Sequence, residues 1–155
     1  IMNKPIEISN NKTLKLSNVL IKEVNVKDGD DYDTIVVQME NYVKSKGALP
    51  IGPLIQKTCY SVNEDGQVEL HVFLLRQASN YIHNIESPYK MESILKVQNC
   101  MYARFVGSEE NLRIAHDKIN VTAYENNIQL NNENYTVYVD QQYDNIVADI
   151  FVEKK

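Results

Sequence analysis

The chain contains no tryptophan, two cysteines, and no basic run longer than the terminal pair Lys154-Lys155. Each shortage excludes something. Cys59 and Cys100 stand far apart in sequence, and the start shows no charged-then-apolar secretion signal. Two buried thiols in a reducing cytoplasm are therefore expected, not a disulfide framework. Net charge is −5, from 16 Lys and Arg against 21 Asp and Glu. Without a basic stripe to neutralise phosphates, no nucleic-acid partner is expected. No apolar run approaches the roughly 18 residues that mark a membrane span, so no membrane partner is expected either. Ile1 precedes Met2, which reads as the natural start, and no N-terminal DNA-binding domain is expected.

Familiar chemical motifs are also missing. The segment Gly47-Ala48-Leu49-Pro50-Ile51-Gly52-Pro53 has phosphate-loop glycine spacing, but proline stands where the phosphate-binding lysine belongs. Asp28, Asp30 and Asp33 resemble a calcium loop. The glycine of the sixth position is absent, Met39 replaces the closing glutamate, and the acids suit a helix N-terminus instead. His71, His83 and His116 lack metal spacing, and no serine sits in a nucleophile elbow. No metal, no cofactor and no enzymatic activity are expected.

What is present is one motif written twice. The first copy runs from Asn18 to Arg76 and the second from Asn99 to Lys154. Each reads strand, helix, hairpin. A repeat of this kind sets the fold before any single residue does. The spacing predicts strands over 14–26, 54–62 and 67–76, then within 94–106, and over 135–140 and 145–153. Residues 2–13 read as an arm or edge segment. The first helix carries the stripe Ile35, Val36, Met39, Tyr42 and Val43, starts at Asp30 or Asp31 and stops at Gly47. The second carries Leu112, Ala115, His116, Ile119 and Ala123, with Ser108 as its cap and Asn126-Asn127 as its stop. At 155 residues, 43% hydrophobic and 24% charged, the chain fits one soluble domain. The predicted class is α+β. Duplicated βαββ units, 14–76 and 93–154 around a linker at 77–92, form a pseudo-two-fold antiparallel sheet with two helices on one face.

Strand parity separates two faces. Val68, Leu70, Val72 and Leu74 should pack on the first helix. Ile146, Ala148, Ile150 and Val152 should pack on the second. The opposite parity is mixed: Ile21, Glu23, Tyr60, Glu69, His71 and Phe73 in the first half, Tyr102, Arg104, Tyr138, Asp149 and Phe151 in the second. Superposing the halves places Glu69 against Asp149, His71 against Phe151 and Tyr60 against Tyr138. Aromatic walls with a few acids suit an amphipathic or cationic organic ligand. They also suit a protein partner or a homodimer seam, and one face of an antiparallel sheet is often simply solvated. A third functional reading is a hydrolase using Glu69 or Asp149 as base.

The arrangement resembles the gyrase-inhibitor-like superfamily, which includes the effector-binding domains of multidrug-sensing activators and stand-alone relatives. The resemblance covers about 14–154. Gly29 and Gly107 precede the helices as in that family. Ile51-Gly52-Pro53 resembles its Gly/Pro entry to the hairpin. Tyr60 resembles its hairpin tyrosine, and Glu69 and Asp149 its last-strand acids. The resemblance implies a duplicated βαββ fold with a ligand cleft at the seam, in which such an acid can neutralise a cation. The family's Pro-Tyr after the helix-entry glycine is replaced by Asp30-Asp31 and Ser108-Glu109.

Overall fold

The computed structural model describes residues 5–25, 29 and 31–155. The predicted turn residues Asp28 and Asp30, and Val26 at the end of the first predicted strand, lie outside the described residues. The fold is α+β, with elements in the order β1 (Ile8–Val24), α1 (Tyr32–Ser45), β2 (Pro50–Val62), β3 (Val68–Ala78), β4 (Tyr89–Ser108), α2 (Leu112–Glu125), β5 (Leu130–Gln142) and β6 (Asn145–Lys154). The strands are longer than their apolar patterns. The 2–13 segment is absorbed into β1 from Ile8 onward, and the end of the predicted linker belongs to β4.

The chain divides into a central unit, Lys15–Lys96, and a terminal unit, Ile1–Leu14 with Val97–Lys155. In the central unit β3 lies between β1 and β2, all antiparallel. Its core joins Leu20, Val24, Val72, Leu74 and Ala78 of the sheet to Ile35, Met39 and Val43 of α1. These three helical residues recur four apart, which places them on one stripe. Asp31 caps α1 by accepting from the Asp33 amide, and Gly47, at φ 83°, follows its end.

The terminal unit repeats the plan with β6 between β4 and β5. Met101, Ala103, Phe105, Ile146, Ala148, Ile150 and Val152 meet Ala115, Ile119 and Ala123 of α2. Ser108 opens a short 3-10 turn, Glu109–Asn111, and makes no side-chain cap; α2 begins only at Leu112. Asn127 takes a left-handed φ of 56° just past α2, a role asparagine fills at low steric cost.

The likeness of the two units extends to fine detail. Asn18 and Asn99 both adopt positive φ, at 52° and 61°. Sheet pairing with the central strand begins immediately after each. Both hairpins carry a register shift at the same place, between Ile51 and Ile55 and between Leu130 and Asn134. Buried Leu14, Leu16, Val19 and Leu20 are matched by Leu95, Val97, Cys100 and Met101.

Candidate functional site

Each sheet turns one face to its helix, and the opposite face carries the chemistry. In the central unit that face is built in cross-strand rows. Ile21 pairs with Leu75, which pairs with Ile55; the latter two are fully buried. The next row is Glu23, Phe73 and Lys57. The Lys57 ammonium sits 5.6 Å from the centre of the Phe73 ring, within cation–π range. Toward the hairpin, His71 lies opposite Cys59, and Glu69 opposite Ser61.

These groups are joined by hydrogen bonds. His71 Nδ1 is 3.3 Å from Glu23 Oε1, and Nε2 is 3.0 Å from Ser61 Oγ. Glu69 Oε2 is 3.7 Å from the same Nε2, and Asn63 Nδ2 donates to Glu69 Oε1 at 3.2 Å. The histidine thus lies between two carboxylates.

The equivalent face of the terminal unit is more aromatic. Tyr102, Phe151 and Tyr135 form one cross-strand row, with the Tyr102 and Phe151 rings 5.0 Å apart. Arg104, Asp149 and Val137 form the next. Asp149 is held on three sides. Tyr102 donates to Oδ1 at 2.7 Å, and Arg104 donates from Nε to Oδ1 at 2.8 Å and from Nη2 to Oδ2 at 2.9 Å. A forked guanidinium–carboxylate pair is among the stronger polar contacts. The Arg104 pKa rises because Asp149 accepts from it and attracts its charge. Burial, aided by the bond to Asp149, raises that of Tyr102 and keeps its proton in place. Lys12 lies 5.7 Å above the Tyr102 ring. A cavity of about 420 Å³ is lined by Pro5, Glu7, Ser9, Tyr102, Arg104 and Val106.

Of the eleven residues predicted from sequence, nine have the predicted parity: Ile21, Glu23, Glu69, His71, Phe73, Tyr102, Arg104, Asp149 and Phe151. The two tyrosines do not. Tyr60 pairs with Leu70, on the parity that faces α1, and Tyr138 pairs with Ala148 and packs against the α2 core. The far-face positions of those strands are held by Lys57, Cys59 and Ser61, and by Tyr135 and Val137. Val68 and Leu70 have helix-side parity but are 69% and 49% exposed, because they lie in the hairpin beyond the α1 core.

The superposition of halves also changes. Glu23 and Arg104 fall at equivalent positions, opposite Phe73 and Asp149 respectively. Asp149 therefore corresponds to Phe73, Phe151 to Leu75, and Glu69 to Asn145. Tyr138 corresponds to Thr58, since each pairs one step along from those rows. Glu69 and Asp149 are not a symmetric pair. Matching places in the two units instead hold an acid, Glu23, and a basic residue, Arg104.

On the same parity of β4 as Tyr102 and Arg104, Cys100 is buried and desolvation pushes its thiol up to about 11. Neither cysteine is in a disulfide. Among the described residues no cluster of His, Cys, Asp and Glu has the form of a metal site, and no helix is long and apolar enough to cross a membrane.

No family model matches the sequence, and no curated protein matches it. Solved structures of similar fold do exist. A chain of the EcmrR–DNA complex in EcmrR-RPo is 16% identical with a TM-score of 0.70, over 97% of this chain. This chain spans 58% of that chain's length. The structure of SAV2435 bound to tetraphenylphosphonium is 9% identical with a TM-score of 0.51, covering 98% of this chain and 94% of that one. At such identities the likeness is one of fold.

Proposed function

We propose that this chain is a small-molecule-binding domain of the gyrase-inhibitor-like type, acting by binding rather than by turnover of its ligand. The ligand contacts are assigned to the sheet faces turned away from the helices. The observation that carries the proposal is the Glu23–Phe73–Lys57 row with His71 and Glu69 beside it: an aromatic ring with the Glu23 carboxylate on one side, the Lys57 ammonium on the other, and a second carboxylate, Glu69, two same-face positions along β3. Such a surface suits an amphipathic organic cation, through ring contact and charge pairing. The SAV2435 structure, of similar fold, holds a lipophilic cation, tetraphenylphosphonium. Asp149 is a poor counter-ion for such a ligand because Arg104 already neutralises it. Glu23 and Glu69 take that part.

Tetraphenylphosphonium at 100 times its Kd should stabilise the fold by about 2.7 kcal/mol, read as a rise in Tm. The double variant Glu23→Gln with Glu69→Gln should lose most of that rise, and Asp149→Asn little of it. A rise that survives the loss of both glutamates would reject this assignment. Two cysteines outside any disulfide suit a reducing compartment, and a cytoplasmic location is part of the proposal.

A second reading has its own observation. Tyr60 pairs with Leu70 and Val62 with Val68, giving two apolar cross-strand pairs, each residue at least 45% exposed. Exposed apolar clusters of this kind mark interaction surfaces. Light scattering after size exclusion, at two concentrations, tests self-association. A mass that stays monomeric, and is indifferent to Val62→Ser with Val68→Ser, speaks against a homodimer.

A further inference from the structure

We propose that Ser61, His71 and Glu23 form a nucleophilic relay that transfers acyl groups from activated esters onto Ser61. The inference goes beyond ligand binding but uses the same face: it shares Glu23 and His71 with the proposed ligand site, and what it adds is the contact between Ser61 of β2 and His71 of β3.

The geometry fixes the roles. Glu23 as a carboxylate only accepts hydrogen bonds, so the His71 nitrogen facing it, Nδ1 at 3.3 Å, carries the proton. In the neutral ring Nε2 is then an acceptor, and its partner at 3.0 Å is the Ser61 hydroxyl. Nucleophile, base and orienting acid thus stand in sequence, with the base's two nitrogens used as acyl transfer requires. When Nε2 takes the serine proton the ring becomes a cation between two carboxylates, since Glu69 Oε2 is 3.7 Å away.

Sheet register supplies the arrangement. Ser61 and His71 sit on adjacent antiparallel strands, offset by one same-face position: Cys59 is opposite His71 and Ser61 opposite Glu69. Glu23, opposite Phe73, approaches the ring from β1. Three strands therefore hold the three groups, and a rigid sheet needs no loop closure to assemble them. Phe73, on the same face, offers an apolar surface for the body of a substrate.

The step balances without an external oxidant or reductant. Ser61 Oγ bonds to the acyl carbon while the bond from that carbon to the leaving alcohol or thiol breaks. The Oγ proton passes to Nε2 and then to the leaving group. Water repeats the sequence and releases the acid, restoring Ser61. The side-chain amide in the turn just past β2, Asn63 Nδ2, is spent on Glu69, so it does not serve the developing oxyanion. A missing oxyanion donor typically costs about 10²–10³ in rate. The substrate class is accordingly narrowed to acyl donors with stable leaving groups, such as aryl esters and thioesters.

The test uses the full chain with p-nitrophenyl acetate. Release of p-nitrophenol is followed, and the acetyl group is located by peptide mass spectrometry. Acetyl on Ser61 is expected, with Ser61→Ala losing roughly 10²-fold of the rate and His71→Asn a similar factor. Glu23 acts through His71 and is a positioning residue. Glu23→Gln should slow acylation, while Glu23→Asp, which keeps the charge, should recover much of it. Ser61→Ala is a small change on a half-exposed strand position, and thermal melting confirms that it folds. Acetyl found on lysines or on His71 in place of Ser61, or an undiminished rate in Ser61→Ala, overturns the proposal. Either result leaves tetraphenylphosphonium binding, measured by melting temperature, as a separate outcome.

Discussion

At the scale of single residues, charge is placed where its partner already waits. Asp149 takes three hydrogen bonds from Tyr102 and Arg104, and Lys46 pairs with Glu86 across 40 residues at 2.5 Å. The exception is His116, half-buried on α2 with its pKa pulled below the ordinary 6.5, chiefly by burial and partly offset by Asp117. A base whose pKa is lower in the folded state binds its proton more weakly there than in the unfolded chain. Stability is then complete above 6.5 and falls as pH drops through that value toward the lowered one. Urea unfolding at neutral and mildly acidic pH should show this loss, and His116→Gln should reduce it. An identical pH dependence in the variant would show that other groups carry it. The sequence placed His116 on the helical stripe, and that position at the edge of the core is what lowers its pKa.

At the scale of elements, what the sequence revealed was parity within a strand, and what it hid was register between strands. Strands β3 and β6 alternate sharply, so alternation alone puts Glu69, His71, Phe73, Asp149 and Phe151 on the correct parity. Strand β2 does not alternate in polarity: Leu54, Gln56, Thr58 and Tyr60 are no more apolar than Ile55, Lys57 and Cys59. In β5 the polarity misleads. Thr136 and Tyr138 have helix-side parity, while the far side is itself buried, with Tyr135 5% and Phe151 9% exposed. Register depends on the bulges, and these are set by backbone conformation. Gly52 adopts φ 71°, and a Cβ there would stand 3.1 Å from Gln77 Nε2. Gln77 is already engaged, accepting from the Ser17 amide at 3.1 Å. The Gly52 carbonyl also accepts from Arg76, which pairs with Glu40 of α1 at 3.2 Å. Gly52→Ala should therefore cost about 1–2 kcal/mol, a Tm loss of roughly 2–8 °C for a chain of this size. A melting temperature equal to the parent's would mean that the bulge relaxes without strain.

At the scale of the whole molecule, the two units share a strand order, while connectivity distinguishes them. The central unit is one continuous stretch, Lys15–Lys96; the terminal unit is assembled from two, Ile1–Leu14 and Val97–Lys155. Strand β1 supplies residues to both. The terminal core needs that first stretch: Ile6 and Ile8 pack against it, and Lys118 of α2 donates to the Ile6 carbonyl. Joining positions so far apart in sequence costs loop-closure entropy before any contact offsets it. Deleting residues 1–9 should uncover the α2 core and cost roughly 1–3 kcal/mol, as expected for two half-buried isoleucines. The loss should appear first in amide exchange of α2, β5 and β6, and Ile8→Ala should show a smaller version of it. If the deletion leaves both the melting temperature and α2 protection unchanged, the first stretch is an ornament on the terminal unit rather than part of its core. A loss spread evenly over α1 and α2 would show instead that the two units unfold as one.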